Sequence, residues 1–577
     1  MPFNGTAVHL QLPTGYRLLS VNVVVWRSVL CSSRFGMLLR VALVLCVFAG
    51  KARADSKQSR SCVDVRNFYN AKGFTLGEVP QAEISGEHLR VCPQGYTCCT
   101  TQMEENLSNL SRREFEQQVK ESGRTLQASL NSQYKSFDGY FRELLNRSEA
   151  SFQDSLQSGF GSLYSDNSRL FQDLYEDLRH YYRGSNVNLE EALNEFWARL
   201  LERLLRTLNT NYSISEDYLE CVAKQSETLR PFGETPREFK LKVTRTFVAA
   251  RSFVQGLVVA GEVVRKVSQV PVSMECVRAL MKLTYCPHCR GVASAKPCST
   301  YCRNVMKGCL ANQADLDTEW KNLADAMLQV ADRLNKPYSM DAALLSLPRR
   351  MAEAILYMQD NLNAFNNKVF QACGTPPESS SPGEPVKRGQ NLAEEVSGAA
   401  GPRLDKLLSD VSRKLRDMMQ YWVQLPSKLC IDREAKAGDE GKCWNGMAVD
   451  RYLPDVMGDG LASQINNPEV EIDITKPDMT IRQQIMQLKI MTNRLKNAIN
   501  GNDVDFQDAS DDISGSGSGC SDDQCVHGPR IMIPSTNRPK NYPNPPENKK
   551  VVKGLGSRNV PSSAPYLLAL ATVLLRR

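Results

Sequence analysis

Histidine is scarce in this chain, with five in 577 residues. No G-x-S-x-G nucleophile elbow and no H-E-x-x-H metal motif occurs, so the usual nucleophile and acid/base sets of secreted hydrolases are missing. Charge of one sign is also lacking: 71 basic against 64 acidic side chains leave only +7. That excess, with no zinc finger, basic zipper or RNA-binding motif, gives no reason to expect a nucleic-acid partner. Strand-like alternation is sparse. The apolar run near the C-terminus, Tyr566–Leu575, is ten residues long, whereas a helix needs about 20 to span a bilayer. These absences argue against an enzyme, a nucleic-acid binder and a helical membrane channel.

Cysteine, by contrast, is plentiful. There are 18, and the compartment decides what they do. Residues 37–54, MLLRVALVLCVFAGKARA, carry Arg40, an apolar stretch Val41–Ala49, and small residues at Ala52 and Ala54. This is the pattern of a secretory signal, with cleavage expected after Ala54. Residues 1–36 form an unusual extra leader, which makes Met37 an alternative start to Met1. Removing 1–54 discards Cys31 and Cys46 and leaves 16 cysteines, an even number that favours disulfides in a secreted chain. Fourteen lie between Cys62 and Cys443, and Cys520 and Cys525 come later. The adjacent Cys98 and Cys99 are expected to take different partners. CPHC at 286–289 reads as a redox pair, as half a zinc site with Cys298, Cys302 or Cys309, or as two disulfide halves; the oxidising compartment favours the last.

From about residue 101 the pattern is helical. Phe196, Trp197, Leu200, Leu201, Leu204, Leu205 and Leu208 form one stripe in EFWARLLERLLRTL, with charges opposite. Ile481, Ile485, Leu488 and Leu495 repeat at helical spacing behind Pro477 and Asp478. Further amphipathic runs occupy 135–182, 237–268, 316–334, 350–370 and 403–424. The expected fold is all-α, a multi-helix cysteine-rich core over 55–500 stapled by disulfides. Within it, 374–402 is rich in Pro, Ser and Gly and reads as a disordered internal loop, with a dibasic pair at Lys387-Arg388. Sequons place candidate N-glycans at Asn106, Asn109, Asn146 and Asn211, the first two competing for one glycan.

Beyond residue 500 the composition changes. Residues 501–556 are poor in apolar side chains and read as a stalk. Inside it, DVDFQDASDDISGSGSGCSDDQC (503–525) sets Ser514, Ser516 and Ser518 on alternate positions, each followed by Gly, among seven aspartates. A flexible spacer is one reading. Glycosaminoglycan attachment is the other: the acceptor hydroxyl must be accessible, Gly next to it removes a blocking side chain, and carboxylates draw a basic transferase. The last segment, 557–577, joins a polar spacer to the short apolar tail. With small residues at Gly554 and Ser557, it reads as a GPI-attachment signal that is removed.

Together, signal, fourteen-cysteine helical body, acidic Ser-Gly stalk and anchor tail resemble the glypicans, cell-surface heparan sulfate proteoglycans. The likeness is carried by AKGFTLGEVPQAEISGEHLRVCPQGYTCCT (71–100), TRTFVAARSFVQGL (244–257), KGCLANQADLD (307–317) and the stretch 452–512 that opens YLPDVMGDGLASQINN. The resemblance implies an elongated all-α body with seven disulfides, pairing Cys62–Cys98, Cys92–Cys286, Cys99–Cys289, Cys221–Cys373, Cys276–Cys309, Cys298–Cys443 and Cys302–Cys430. It implies heparan sulfate on Ser514, Ser516 and Ser518, and N-glycans at Asn109 and Asn146. It also implies a lipid-anchored place on the outer leaflet, with a shed form outside the cell, and no enzymatic cofactor or metal. The partner classes it implies are fibroblast growth factors, Wnt, Hedgehog and bone morphogenetic proteins. Two rival readings remain at this point: a protein-only binding module with the Ser-Gly run as spacer, and a secreted zinc protein using Cys286, Cys289, Cys298 and Cys302.

Overall fold

The computed structural model describes residues 61–335, 339–380, 387–390, 400–432 and 442–504. The secretory leader, the Ser-Gly run with Ser514, Ser516 and Ser518, Cys520, Cys525, and the anchor candidates Gly554 and Ser557 lie outside them. The described chain is mainly α-helical, with stretches outside α-helix at 72–100 and 442–478. Its paired strands are β1 (Ile84–Ser85) and β2 (Tyr96–Thr97), antiparallel, with Ile84 opposite Thr97.

Helix α1 (Val63–Ala71) precedes this ribbon, and α2 (Thr101–Phe160) follows it. The 60 residues of α2 give a rod of about 90 Å. Thr100 opens it by accepting from the Met103 amide, the usual N-cap role of a hydroxyl. Gly161, at φ 53°, ends it, a conformation that costs other residues a Cβ clash. Then come α3 (Ser168–Arg183), α4 (Leu189–Leu208), α5 (Glu216–Leu229) and α6 (Thr235–Val267). The predicted stripe on α4 is buried from Phe196 to Leu205. Helix α6 is apolar and long enough to cross a membrane, but 72% of its most apolar window is buried inside the protein, so here it serves as a core helix. It packs on α2, α9 (Asp317–Asn335) and α14 (Met479–Asn500). Small residues permit this: a Cβ on Gly256 would sit 3.3 Å from Met327 and 3.5 Å from Leu495, and one on Gly123 of α2 would meet Ser268 Oγ just past the end of α6.

The remaining helices of nine or more residues are α7 (Met274–Thr284), α8 (Ser299–Cys309), α10 (Leu347–Asp360), α11 (Leu362–Cys373), α12 (Ala400–Met418) and α13 (Tyr421–Asp432). Three runs expected to be continuous are divided. The 135–182 run breaks at Gly161, the 350–370 run at Asn361, and the 403–424 run between Met418 and Tyr421.

Burial separates into two cores. The larger collects α3, α4, α6, α9, α10, α14 and the second half of α2. The smaller collects α1, the start of α2, α7, α8 and the end of α13, and holds twelve of the fourteen bridged cysteines. Helix α2 runs through both, contributing Met103, Leu107, Phe115 and Val119 to one and Phe137, Phe141 and Phe152 to the other.

The expected loop at 374–402 needs correction in part. Ser213 and Asn211 hydrogen-bond to Pro377 and Ser379. Arg388 makes two hydrogen bonds to Asp360, at 2.6 and 2.8 Å, and Gly389 donates to Gln359. Both stretches are thus held against α10, α11 and the end of α4, and Ala400 already begins α12. Composition marked the segment as unable to form a core of its own, but it did not reveal that neighbouring helices supply its partners.

Candidate functional site

Seven disulfides staple the described chain between Cys62 and Cys443. The bonded pairs are Cys62–Cys98, Cys92–Cys286, Cys99–Cys289, Cys221–Cys373, Cys276–Cys309, Cys298–Cys443 and Cys302–Cys430, the pairing the resemblance implies. The CPHC cysteines leave in two directions, Cys286 to Cys92 and Cys289 to Cys99. Thr97 aligns the second of these: its hydroxyl donates to the Cys289 carbonyl and accepts from the Cys99 amide. No group of three or more His, Cys, Asp or Glu able to hold a metal occurs among the described residues, so the zinc reading has no ligand set there.

Glu104 is a buried carboxylate that sequence reading passed over. It accepts the backbone amides of Arg90 (2.9 Å), Val91 (2.9 Å) and Cys92 (2.7 Å). Three charge-assisted bonds fix the loop that carries Cys92 into its bridge. The two histidines in this region are structural. His88 Nε2 lies 3.0 Å from the Cys99 carbonyl oxygen. His288 stacks on Phe68 at 3.8 Å, and burial pushes its imidazole pKa down.

The sequon asparagines differ in setting. Asn109, Asn146 and Asn211 are exposed, while Asn106 is half-buried and donates to Tyr69 OH at 2.8 Å. Asn146 accepts from Arg179 at 3.2 Å. The hydroxyl of its sequon partner Ser148 is buried, donating to the Leu344 carbonyl at 2.7 Å and facing Tyr175 OH at 2.9 Å.

The last described segment is fastened to the body. Helix α14 is opened by Asp478, which accepts from the Ile481 amide, and closed by Gly501 at φ 83°. The next turn brings Asp503 to Tyr181, whose hydroxyl donates to Asp503 Oδ2 at 2.8 Å. Arg251 lies over the Tyr181 ring at 4.6 Å, with Nη1 3.9 Å from the same oxygen. Burial, then the Asp503 charge, hold the Tyr181 pKa above the usual phenol range, so the hydroxyl stays a donor. In sequence Asp503 looked like one more aspartate of the acidic run; the fold shows it as a partner of Tyr181 and Arg251. The Ser-Gly acceptors begin eleven residues later, at Ser514.

Comparison with known proteins adds three findings. The Glypican family model matches residues 42–576. Glypican-1 of Gallus gallus is 56% identical over 541 residues, covering 92% of this chain and 98% of the relative. Among solved structures, the full-length glypican-1 core protein superposes with a TM-score of 0.71 at 57% identity, over 77% of this chain and all of that one. The structure of Dally-like protein in complex with O-palmitoleoyl serine gives 0.62 at 32% identity, over 77% of this chain and all of its own.

Proposed function

The chain belongs to the glypican family, the core proteins of heparan sulfate proteoglycans, and on that premise we propose that Ser514, Ser516 and Ser518 carry its heparan sulfate. The single observation that supports this reading best is the coincidence of a family-wide match with three alternate Ser-Gly acceptors in an acidic run. The core is held at the outer leaflet by a lipid attached near Gly554 or Ser557 and is shed from there.

The mechanism is electrostatic capture. Sulfated chains on neighbouring serines make a dense polyanion beside the membrane. Basic patches on fibroblast growth factors, Wnt, Hedgehog and bone morphogenetic proteins bind it with release of counterions, so capture weakens as salt rises, by analogy with nucleic acids. Several chains on one stalk raise local concentration and avidity. The protein then presents its ligands to receptors as a co-receptor without transforming them.

The test is a denaturing gel of the secreted chain with and without heparan-sulfate lyase, beside a Ser514/Ser516/Ser518→Ala variant. A high-mass smear that collapses to a core band on digestion, with the variant already a core band, is the expected result. A sharp, lyase-insensitive band from the parent chain overturns it.

A further inference from the structure

We propose that the protein core carries its own docking cleft for a basic polypeptide segment, built where the start of α7, the end of α8 and the segment 461–478 converge. The cleft holds about 770 Å³, within the range of ligand sites, roughly 300–1,000 Å³. Four carboxylates line it, those of Glu275, Glu471, Asp473 and Asp478, against one cation, Lys476. Asp478 caps α14 and Asp473 is engaged by Thr475 and Lys476. The Thr475 hydrogen bonds, and then Lys476, lower the Asp473 pKa to about 2, so it stays ionised. The Glu275 and Glu471 side chains line the cleft and make no hydrogen bond or ion pair among the described residues.

A second observation points to a missing donor. Gln313 lines the same cleft and is only 4% exposed, and its Oε1 accepts no hydrogen bond. A buried amide oxygen without a donor is costly. An arginine side chain entering the cleft supplies five N–H donors in a fixed fork to carboxylates that have no cation of their own. The walls also have an apolar part, Val272 and Ile472. Met274, Ile474 and Met479, next in sequence to lining residues, are 58%, 45% and 67% exposed. The fitting partner is therefore a peptide segment that pairs arginine or lysine with apolar side chains.

The cleft is held open by its frame. The Cys276–Cys309 bridge joins α7 to α8, the Leu461 amide is tied to Asp315, and the Asp478 amide is tied to Asn312. Its charge repels the sulfated chains proposed above and attracts the same basic proteins, so core and glycans bind one ligand at different points. The inference extends the proposed function but does not need the glycans.

The test uses the full secreted chain carrying Ser514/Ser516/Ser518→Ala, so that no chain on those serines contributes. The probe is a short peptide alternating arginine and leucine, read by fluorescence anisotropy, with a citrulline-for-arginine peptide as control. Glu275→Gln/Glu471→Gln is expected to weaken binding by about tenfold or more, an effect of about 1.4 kcal/mol. The same neutralisation at the exposed Glu105 and Glu121 is expected to leave it unchanged. Ile472→Arg, which places a cation in the cleft, is expected to abolish binding while the thermal transition is kept. Equal binding by the double variant, equal binding of the citrulline peptide, or no binding by the parent chain each overturns the proposal. None of these outcomes bears on the lyase result, so the two readings fail separately.

Discussion

The Tyr181 hydroxyl donates to Asp503 at 2.8 Å across 322 residues of sequence, and this contact ties the segment after α14 to α3. Tyr181 is buried on α3, and Asp503 sits just past the C-cap of α14. Replacing Tyr181 with Phe removes one hydrogen bond to a carboxylate and is expected to cost about 1–2 kcal/mol locally. Hydrogen exchange should accelerate over 497–504, with little change in the melting of the body. Unchanged protection there would show that packing of α14 alone holds the junction.

Glu104 is a point of high cost. Glu104→Ala leaves the amides of Arg90, Val91 and Cys92 without their acceptor in a buried loop. Destabilisation of about 3 kcal/mol is expected, read as a shifted denaturant midpoint with disulfides intact. Glu104→Gln keeps one acceptor oxygen and should lie between parent and Ala variant.

Stability should also depend on acid. Asp341 is buried, and both of its oxygens accept from Tyr140 at 2.8 Å. Burial is the largest influence and raises its carboxyl pKa, outweighing the Tyr140 hydrogen bond and the cations Arg147 and Arg403 that lower it. A raised folded-state pKa means that the native protein holds the proton more tightly than the unfolded chain. The cost of ionising Asp341 is therefore fully present above its folded pKa and is relieved as pH falls toward the ordinary carboxylate value of about 3.9. Asp341→Asn, which can still accept from Tyr140, should melt higher than the parent at pH 7. The gap should narrow as the pH approaches 4.

Reduction should be selective. Among the described bridges, Cys221–Cys373 is the one in which neither cysteine is fully buried, and access controls thiol exchange. Brief treatment with mild reductant followed by alkylation should label Cys221 and Cys373 first. Labelling of Cys99 or Cys289 at the same rate would contradict the burial of the smaller core.

Glycan occupancy should follow exposure. Peptide mapping should find Asn109 occupied well above Asn106, whose amide is already bonded to Tyr69. Asn146 should be modified only before folding, because Ser148, whose hydroxyl the transferase must engage, is buried afterwards.

Much of the helical body was legible in sequence because burial there repeats at helical spacing. The α4 stripe and the Ile481–Leu495 spacing on α14 are examples. Helix ends were harder to read, since Gly161 and Asn361 interrupt runs whose apolar pattern continues across them. What sequence could not show depends on convergence. The Tyr181–Asp503 contact and the triple acceptance by Glu104 each join residues whose own neighbourhoods look ordinary. Likewise, the carboxylates at 275, 471, 473 and 478 share a wall only because α7, α8 and a non-helical segment meet. The pairing of Cys98 and Cys99 with different partners was readable from adjacency, whereas the identity of those partners was not.

Cys443 is the last bridged cysteine among the described residues, so α14 begins 36 residues beyond the final covalent loop. Every helix before it lies inside a disulfide loop, whereas α14 is held by Ile481, Leu488, Met491, Leu495 and Ala498 in the larger core and by the junction at Asp503. Each large apolar side chain contributes on the order of 1.5–3 kcal/mol when buried. A pull applied at Asp503 reaches α14 before it reaches any of the seven described disulfides. Among the described residues, α14 is thus the one helix that no disulfide loop encloses, and its seat rests on non-covalent contacts alone.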